Sequence, residues 1–65
     1  MPYVNVRLID ENISLEKKAE VISGITDVLV NVLGKSPDTT FVVIDEVPAD
    51  NWGFKGKPVS VLRKG

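Results

Sequence analysis

Apolar and polar side chains alternate along residues 2–9, with Pro2, Val4, Val6 and Leu8 on one face and Tyr3, Asn5, Arg7 and Ile9 on the other. A period of two built from Val and Tyr predicts a strand, and Pro is acceptable at its first position because no ladder donor is needed there. Asp10, Glu11 and Asn12 break the alternation as a loop. The pattern then changes period: Leu15, Ala19, Ile22, Ile25, Leu29 and Val32 recur at spacings of three and four, and Val21, Val28 and Leu33 widen the stripe. This predicts an amphipathic helix capped by Ser14, with Glu16 at its positive end and Gly34 as its stop. Lys17, Lys18, Glu20, Thr26, Asp27 and Asn31 fall mostly on its wet side. Residues 39–47, Thr-Thr-Phe-Val-Val-Ile-Asp-Glu-Val, are almost continuously β-branched or aromatic and read as a strand covered on both faces. A turn at residues 48–51 leads into a glycine-containing hairpin around Trp52 and Phe54, followed by a short final strand at Val59 and Val61. Strand, helix, strand with short links is a β-α-β unit with parallel strands and a right-handed crossover. The expected fold is therefore α+β: one domain over residues 1–65, a single β-α-β unit plus a C-terminal hairpin.

Size makes that unit incomplete. A chain of 65 residues buries only about 60% of its unfolded surface and is marginal alone. It has no Cys for a disulfide and neither Cys nor His for a structural zinc, so association is the remaining route to stability. One helix covers one face of the sheet, and the apolar residues on the other face of the second strand need another subunit. The Gly-rich hairpin with its two large aromatics is a lid, an intersubunit arm or a hydrophobic plug. The net charge of −1 supplies no overall basic field for nucleic acid, and Lys55, Lys57, Arg63 and Lys64 read as a solvated surface. No apolar run approaches the ~20 residues of a membrane span, and the start lacks the features of an export signal, which places the expected location in the cytoplasm.

Composition also narrows the chemistry. Without His or Cys, a reactive group must be a carboxylate, a Lys, a hydroxyl or the chain terminus. The acidic residues form no convincing pair, since Asp10 and Glu11 are loop neighbours and Asp45 and Glu46 point to opposite faces of a strand. Gly53 and Gly56 lack the spacing and helix of a phosphate loop. The terminus is different. Met1 precedes a small residue, and its removal leaves Pro2 as a free secondary amine. In an apolar pocket or beside cations the charged form of such an amine is disfavoured, so it can serve as a general base near working pH. Val4, Val6, Phe41, Trp52 and Phe54 are residues from which such a pocket can be built.

Pro2 behind Met1, the strand of residues 2–9, the helix beginning Glu16-Lys17-Lys18, the strand Phe41-Val42-Val43-Ile44-Asp45-Glu46 and the hairpin Trp52-Gly53-Phe54-Lys55-Gly56 occur in an order and spacing that resembles the 4-oxalocrotonate tautomerase family. The likeness covers essentially the whole chain. It implies small β-α-β enzymes that pair into a four-stranded sheet, commonly assembled as a homo-oligomer, a hexamer built as a trimer of dimers. It implies proton transfer that converts an enol or dienol acid to the ketone, with the amino-terminal proline, here Pro2, as base and no cofactor or metal. The expected substrate-binding residues are Trp52, Phe41, Ile9, Phe54 and Lys55.

Two positions depart from that family. Its best-known members bind substrate carboxylate and carbonyl groups through an arginine just before the helix and another early in the second strand. Here the first stretch reads Asn12-Ile13-Ser14 and the second position is Phe41. A diacid would lose charge-assisted hydrogen bonds of roughly 1.5–3 kcal/mol each. The expected substrate is accordingly a simpler enol or keto acid. Lys55, Lys57, Arg7 and Asn12 are the candidate replacements: Lys55 lies in the hairpin beside Trp52 as either a substitute cation or an exposed turn lysine, and Arg7, on the face opposite Pro2, is expected at a subunit contact. The same departures motivate an alternative, a protein of this fold that has lost efficient catalysis and serves binding or assembly.

Overall fold

The parallel pairing of two seven-residue strands organises the chain. The computed structural model describes residues 1–63, so Lys64 of the basic tail and Gly65 lie outside the described residues. Strand β1 (Tyr3–Ile9) pairs with β2 (Phe41–Val47) in an unbroken register from Tyr3 opposite Phe41 to Ile9 opposite Val47. Backbone hydrogen bonds extend the ladder past both ends, from Phe41 N to the Pro2 carbonyl (2.9 Å) and from Asp10 N to the Val47 carbonyl (2.8 Å). Between the strands runs helix α1 (Leu15–Leu33). Ser14 caps it as the sequence predicts, its hydroxyl accepting from Lys17 N, and Gly34 ends it in the left-handed region at φ 67°. The architecture is the expected α+β, a β-α-β unit with a C-terminal hairpin.

The boundaries differ in places. Thr39 lies in a 3-10 turn (Pro37–Thr39) and Thr40 follows it, so β2 opens at Phe41 and not at residue 39. Ser36 holds that turn by accepting from Asp38 N and, through its carbonyl, from the Thr40 hydroxyl. The hairpin is formed by β3 (Gly53–Phe54) and β4 (Lys57–Pro58), with Lys55 and Gly56 both at positive φ, as a tight two-residue turn requires. After it the expected strand at Val59 and Val61 is instead a helical turn, α2 (Val59–Leu62). Pro58 at its start lacks an N–H and suits a helix entrance, and the Val59 amide is already taken by the Trp52 carbonyl at 2.8 Å.

Side-chain alternation survives in β1: Tyr3, Asn5 and Arg7 are exposed while Val4, Val6 and Leu8 are half-buried toward α1. On β2, Asp45 meets Arg7 on the outer face (3.3 Å) and Glu46 meets Lys18 of α1 on the inner face, so the two acids do point opposite ways. Lys18 was expected to be wet but is half-buried by this ion pair. Thr26, also expected on the wet side, is half-buried, and its hydroxyl satisfies itself on the Ile22 carbonyl at 2.8 Å. The apolar stripe of α1 is wider than the two strands beneath it. Ile25 and Leu29 face inward, whereas Leu15 and Val32 remain 78% and 74% exposed.

No described residue is buried in the isolated chain. Its surface is 4952 Å², against about 4,100 Å² for a compact monomer of this mass. Its radius of gyration is 15.1 Å, against about 11 Å expected for this length. Two apolar surfaces lie open, the outer sheet face with Tyr3, Phe41 and Val43, and the flank of α1 with Val21, Val28 and Val32. Among the described residues no helix is long and apolar enough to cross a membrane.

The left-handed cap gives a local test. Gly34→Ala places a Cβ in a conformation that costs an L-residue about 1–2 kcal/mol, and urea unfolding should show a loss of that size. An unchanged midpoint would contradict the cap geometry.

Candidate functional site

The β1–β2 ladder holds the expected site residues at two separate ends. Pro2 sits half-buried at the start of β1, and the amide of Phe41 on β2 binds its carbonyl. Seven residues later, Ile9 ends the same strand. At about 3.3 Å per residue that separation is about 23 Å. Pro2 and Phe41 therefore share one end, and Ile9 lies at the other.

A cleft of about 290 Å³ occupies the far end, lined by Arg7, Leu8, Ile9, Glu11, Ile13 and Trp52. Its walls follow from local structure. The Asp10 amide on the Val47 carbonyl keeps the loop after β1 beside the segment after β2. Asn12 enters the left-handed region (φ 58°), its amide bound to the Asp10 carboxylate at 3.2 Å, which turns Ile13 back toward the strand end. On the other side, a 3-10 turn (Ala49–Asn51) delivers Trp52, whose amide reaches the Ala49 carbonyl and whose carbonyl accepts from Val59. The Trp52 backbone is thus held through both its amide and its carbonyl. Arg63, after α2, binds Glu11 at 2.9 Å and ties the end of the described chain to the loop after β1.

Of the expected substrate-binding residues, the cleft gathers Ile9 and Trp52. Phe41 is with Pro2. Phe54 and Lys55 are on the hairpin and are not cleft-lining; Lys55 Nζ rests 5.4 Å from the centre of the Phe54 ring, a cation–π contact. Asn12 is exposed between the two lining residues Glu11 and Ile13. Arg7, assigned by the sequence to a subunit contact, lines the cleft. Alternation already put it on the same face as Ile9, and that was the available signal. Nothing in the sequence brought Ile13 toward Trp52, because their meeting depends on the Asn12 turn and on the segment after β2.

Arg7 is also paired. Its Nη2 donates to Asp45 Oδ2 at 3.3 Å, and Asn5 Nδ2 donates to the same oxygen at 3.2 Å. With Arg7 65% exposed, this pair contributes under about 1 kcal/mol to stability. The cleft otherwise offers mainly apolar walls and one ion-paired carboxylate, an arrangement that can hold a small molecule with an apolar body and a charged group.

Comparison with known proteins agrees with the fold. The sequence matches the family described as Tautomerase enzyme over residues 2–62. The probable tautomerase K2 of Dickeya dadantii is 47% identical over 64 residues, covering 98% of this chain and 96% of that protein. The 2-hydroxymuconate tautomerase of Pseudomonas putida is 36% identical over 56 residues, covering 86% and 87%. The crystal structure of DmpI from Helicobacter pylori superposes with a TM-score of 0.85 at 37% identity, covering 92% of this chain and 98% of that one. The chain belongs to the tautomerase family.

Proposed function

We propose that the chain is an isomerase that ketonises a small enol or dienol acid, with the amino-terminal nitrogen of Pro2 as general base once Met1 has been removed. The observation that carries this reading is a tautomerase-family match that begins at residue 2, where a proline stands, in a chain with no His or Cys to act instead. With Met1 attached, the Pro2 nitrogen is an amide and cannot take a proton. As a free amine it accepts the enol hydroxyl proton, the electron pair of the O–H bond closes the carbonyl, and the π pair of the C=C bond takes the proton back from nitrogen to form the new C–H bond. No redox partner or cofactor enters this balance. The substrate walls are Ile9 and Trp52 in the cleft, Phe41 beside the base, and Phe54 and Lys55 from the hairpin. The protein works in the cytoplasm.

The separation of base and cleft along β1 requires more than one subunit in each site. β1 pairs only with β2 in this sheet, so its other edge is open. Two β1 edges meeting antiparallel about a two-fold axis bring the Pro2 end of one chain to the Ile9 and Trp52 end of its partner. A two-fold contact covers one of the two open apolar surfaces. A trimer of dimers, a homohexamer, covers both. The native mass should therefore be several times 7.1 kDa, as read by light scattering, and a stable monomer would contradict the composite site.

Activity tests the base. The Met-trimmed protein, confirmed by intact mass, should ketonise a simple enolpyruvate. Pro2→Ala should lower kcat by at least about 100-fold, the usual contribution of a positioned proton-transfer group. Equal rates in the two proteins would sink the assignment. A protein that binds enol acids without turning them over would fit the alternative, a tautomerase fold kept for binding or assembly, which the substitutions at Asn12 and Phe41 favour.

A further inference from the structure

We propose that Arg7 is the carboxylate-binding group of the cleft, and that the ligand is a monocarboxylic acid with an apolar body. This rests on the tautomerase reading for its chemistry but on the cleft alone for its geometry. Among the six lining residues, Arg7 is the one cation, and Leu8, Ile9, Ile13 and Trp52 are apolar. The remaining lining residue, Glu11, has its charge met by Arg63 at 2.9 Å. A ligand carboxylate entering this space finds one lining cation, already touched by Asp45 at a single point.

The guanidinium is only partly used. Asp45 engages Nη2 alone, at 3.3 Å, in a one-point contact. An arginine carries five donors on a planar fork, so the N–H groups that Asp45 leaves free remain to hold a second carboxylate while Asp45 keeps the plane oriented. Asn5, donating to the same Asp45 oxygen, steadies that carboxylate from the neighbouring position on its own face of β1. Lysine at this position would offer a point charge without the fork. Lys55, the hairpin alternative, has its ammonium over the Phe54 ring and does not line the cleft in this chain.

The geometry also limits the ligand. One cation, one ion-paired acid and a cleft of about 290 Å³ suit a small molecule with one carboxylate at Arg7 and an aryl or alkyl body against Ile9, Ile13 and Trp52. A diacid would set its second charge against apolar walls or toward Glu11. Arg7 thereby acts as a specificity-determining residue, supplying from β1 the cation that the loop before α1 and the start of β2 lack.

The chain's single tryptophan, Trp52, lines the cleft and reports occupancy without turnover. Titrating the intact, Met-trimmed oligomer with phenylacetate, and separately with neutral phenylacetamide, should quench its fluorescence with tighter binding of the acid. Arg7→Ala should weaken phenylacetate by at least about tenfold, the scale of a lost charge-assisted hydrogen bond, and leave phenylacetamide within about twofold. Arg7→Lys should keep part of the preference for the acid. Native mass is measured on each variant, and Arg7→Lys, which keeps the charge facing Asp45, serves if Arg7→Ala does not assemble. Unchanged phenylacetate binding, or an equal loss for acid and amide, would overturn the proposal. Because the readout needs no catalysis, a protein that binds the acid through Arg7 yet ketonises nothing would refute the tautomerase reading and leave the Arg7 assignment standing.

Discussion

Everything in this molecule depends on the parallel ladder from Tyr3 opposite Phe41 to Ile9 opposite Val47. A parallel pair cannot be closed by a tight turn, so the connection has to be a helix that crosses one face of the sheet. That crossover uses 19 residues of the 65 and leaves only two strands for them to cover. A two-stranded sheet is too narrow for the apolar stripe of α1, and it has an outer face that α1 cannot reach. The absence of any buried residue follows directly. The ladder fixes local structure firmly and leaves the isolated chain an incomplete body with apolar surfaces open.

The same constraint separates the functional groups. A strand fully paired over seven residues is a rigid spacer, and it puts Pro2 and the Trp52 cleft at opposite ends. Within one chain no rotamer change or loop movement closes about 23 Å. An antiparallel partner turns this separation into proximity, because the end of one strand then lies beside the start of the other. Under the proposed function assembly and catalysis become one requirement, because an oligomer that covers the apolar faces would also bring the proposed base to its pocket. Arg7 sits where the two meet, on the outer sheet face by alternation and on the cleft wall by position.

Most of the fold was legible because its signals are local. The period of two in β1, the Ser14 and Gly34 caps, the β-branched run of β2 and the opposed directions of Asp45 and Glu46 each follow from neighbouring residues. What was misjudged depended on contacts between distant segments. Lys18 reads as solvent-facing until Glu46 arrives from β2, and Val59 and Val61 read as a strand until the Trp52 carbonyl takes the Val59 amide and the chain turns into α2. The site shows the same division. Pro2 and Trp52 are singled out as candidates by residue type and order, while the cleft itself needs the Asn12 turn, and Arg7 joins Ile9 there only because the strand end and Trp52 share a wall.

In the proposed oligomer each site joins Pro2 of one chain to the cleft of another. The most direct measurement is subunit mixing: Pro2→Ala and Trp52→Ala proteins are unfolded, combined, refolded together and assayed for enol-acid ketonisation. In mixed assemblies some sites then combine an intact Pro2 with an intact Trp52. A composite site predicts activity clearly above the average of the two variants refolded separately. Activity equal to that average, in assemblies shown by native mass spectrometry to contain both chains, would contradict it.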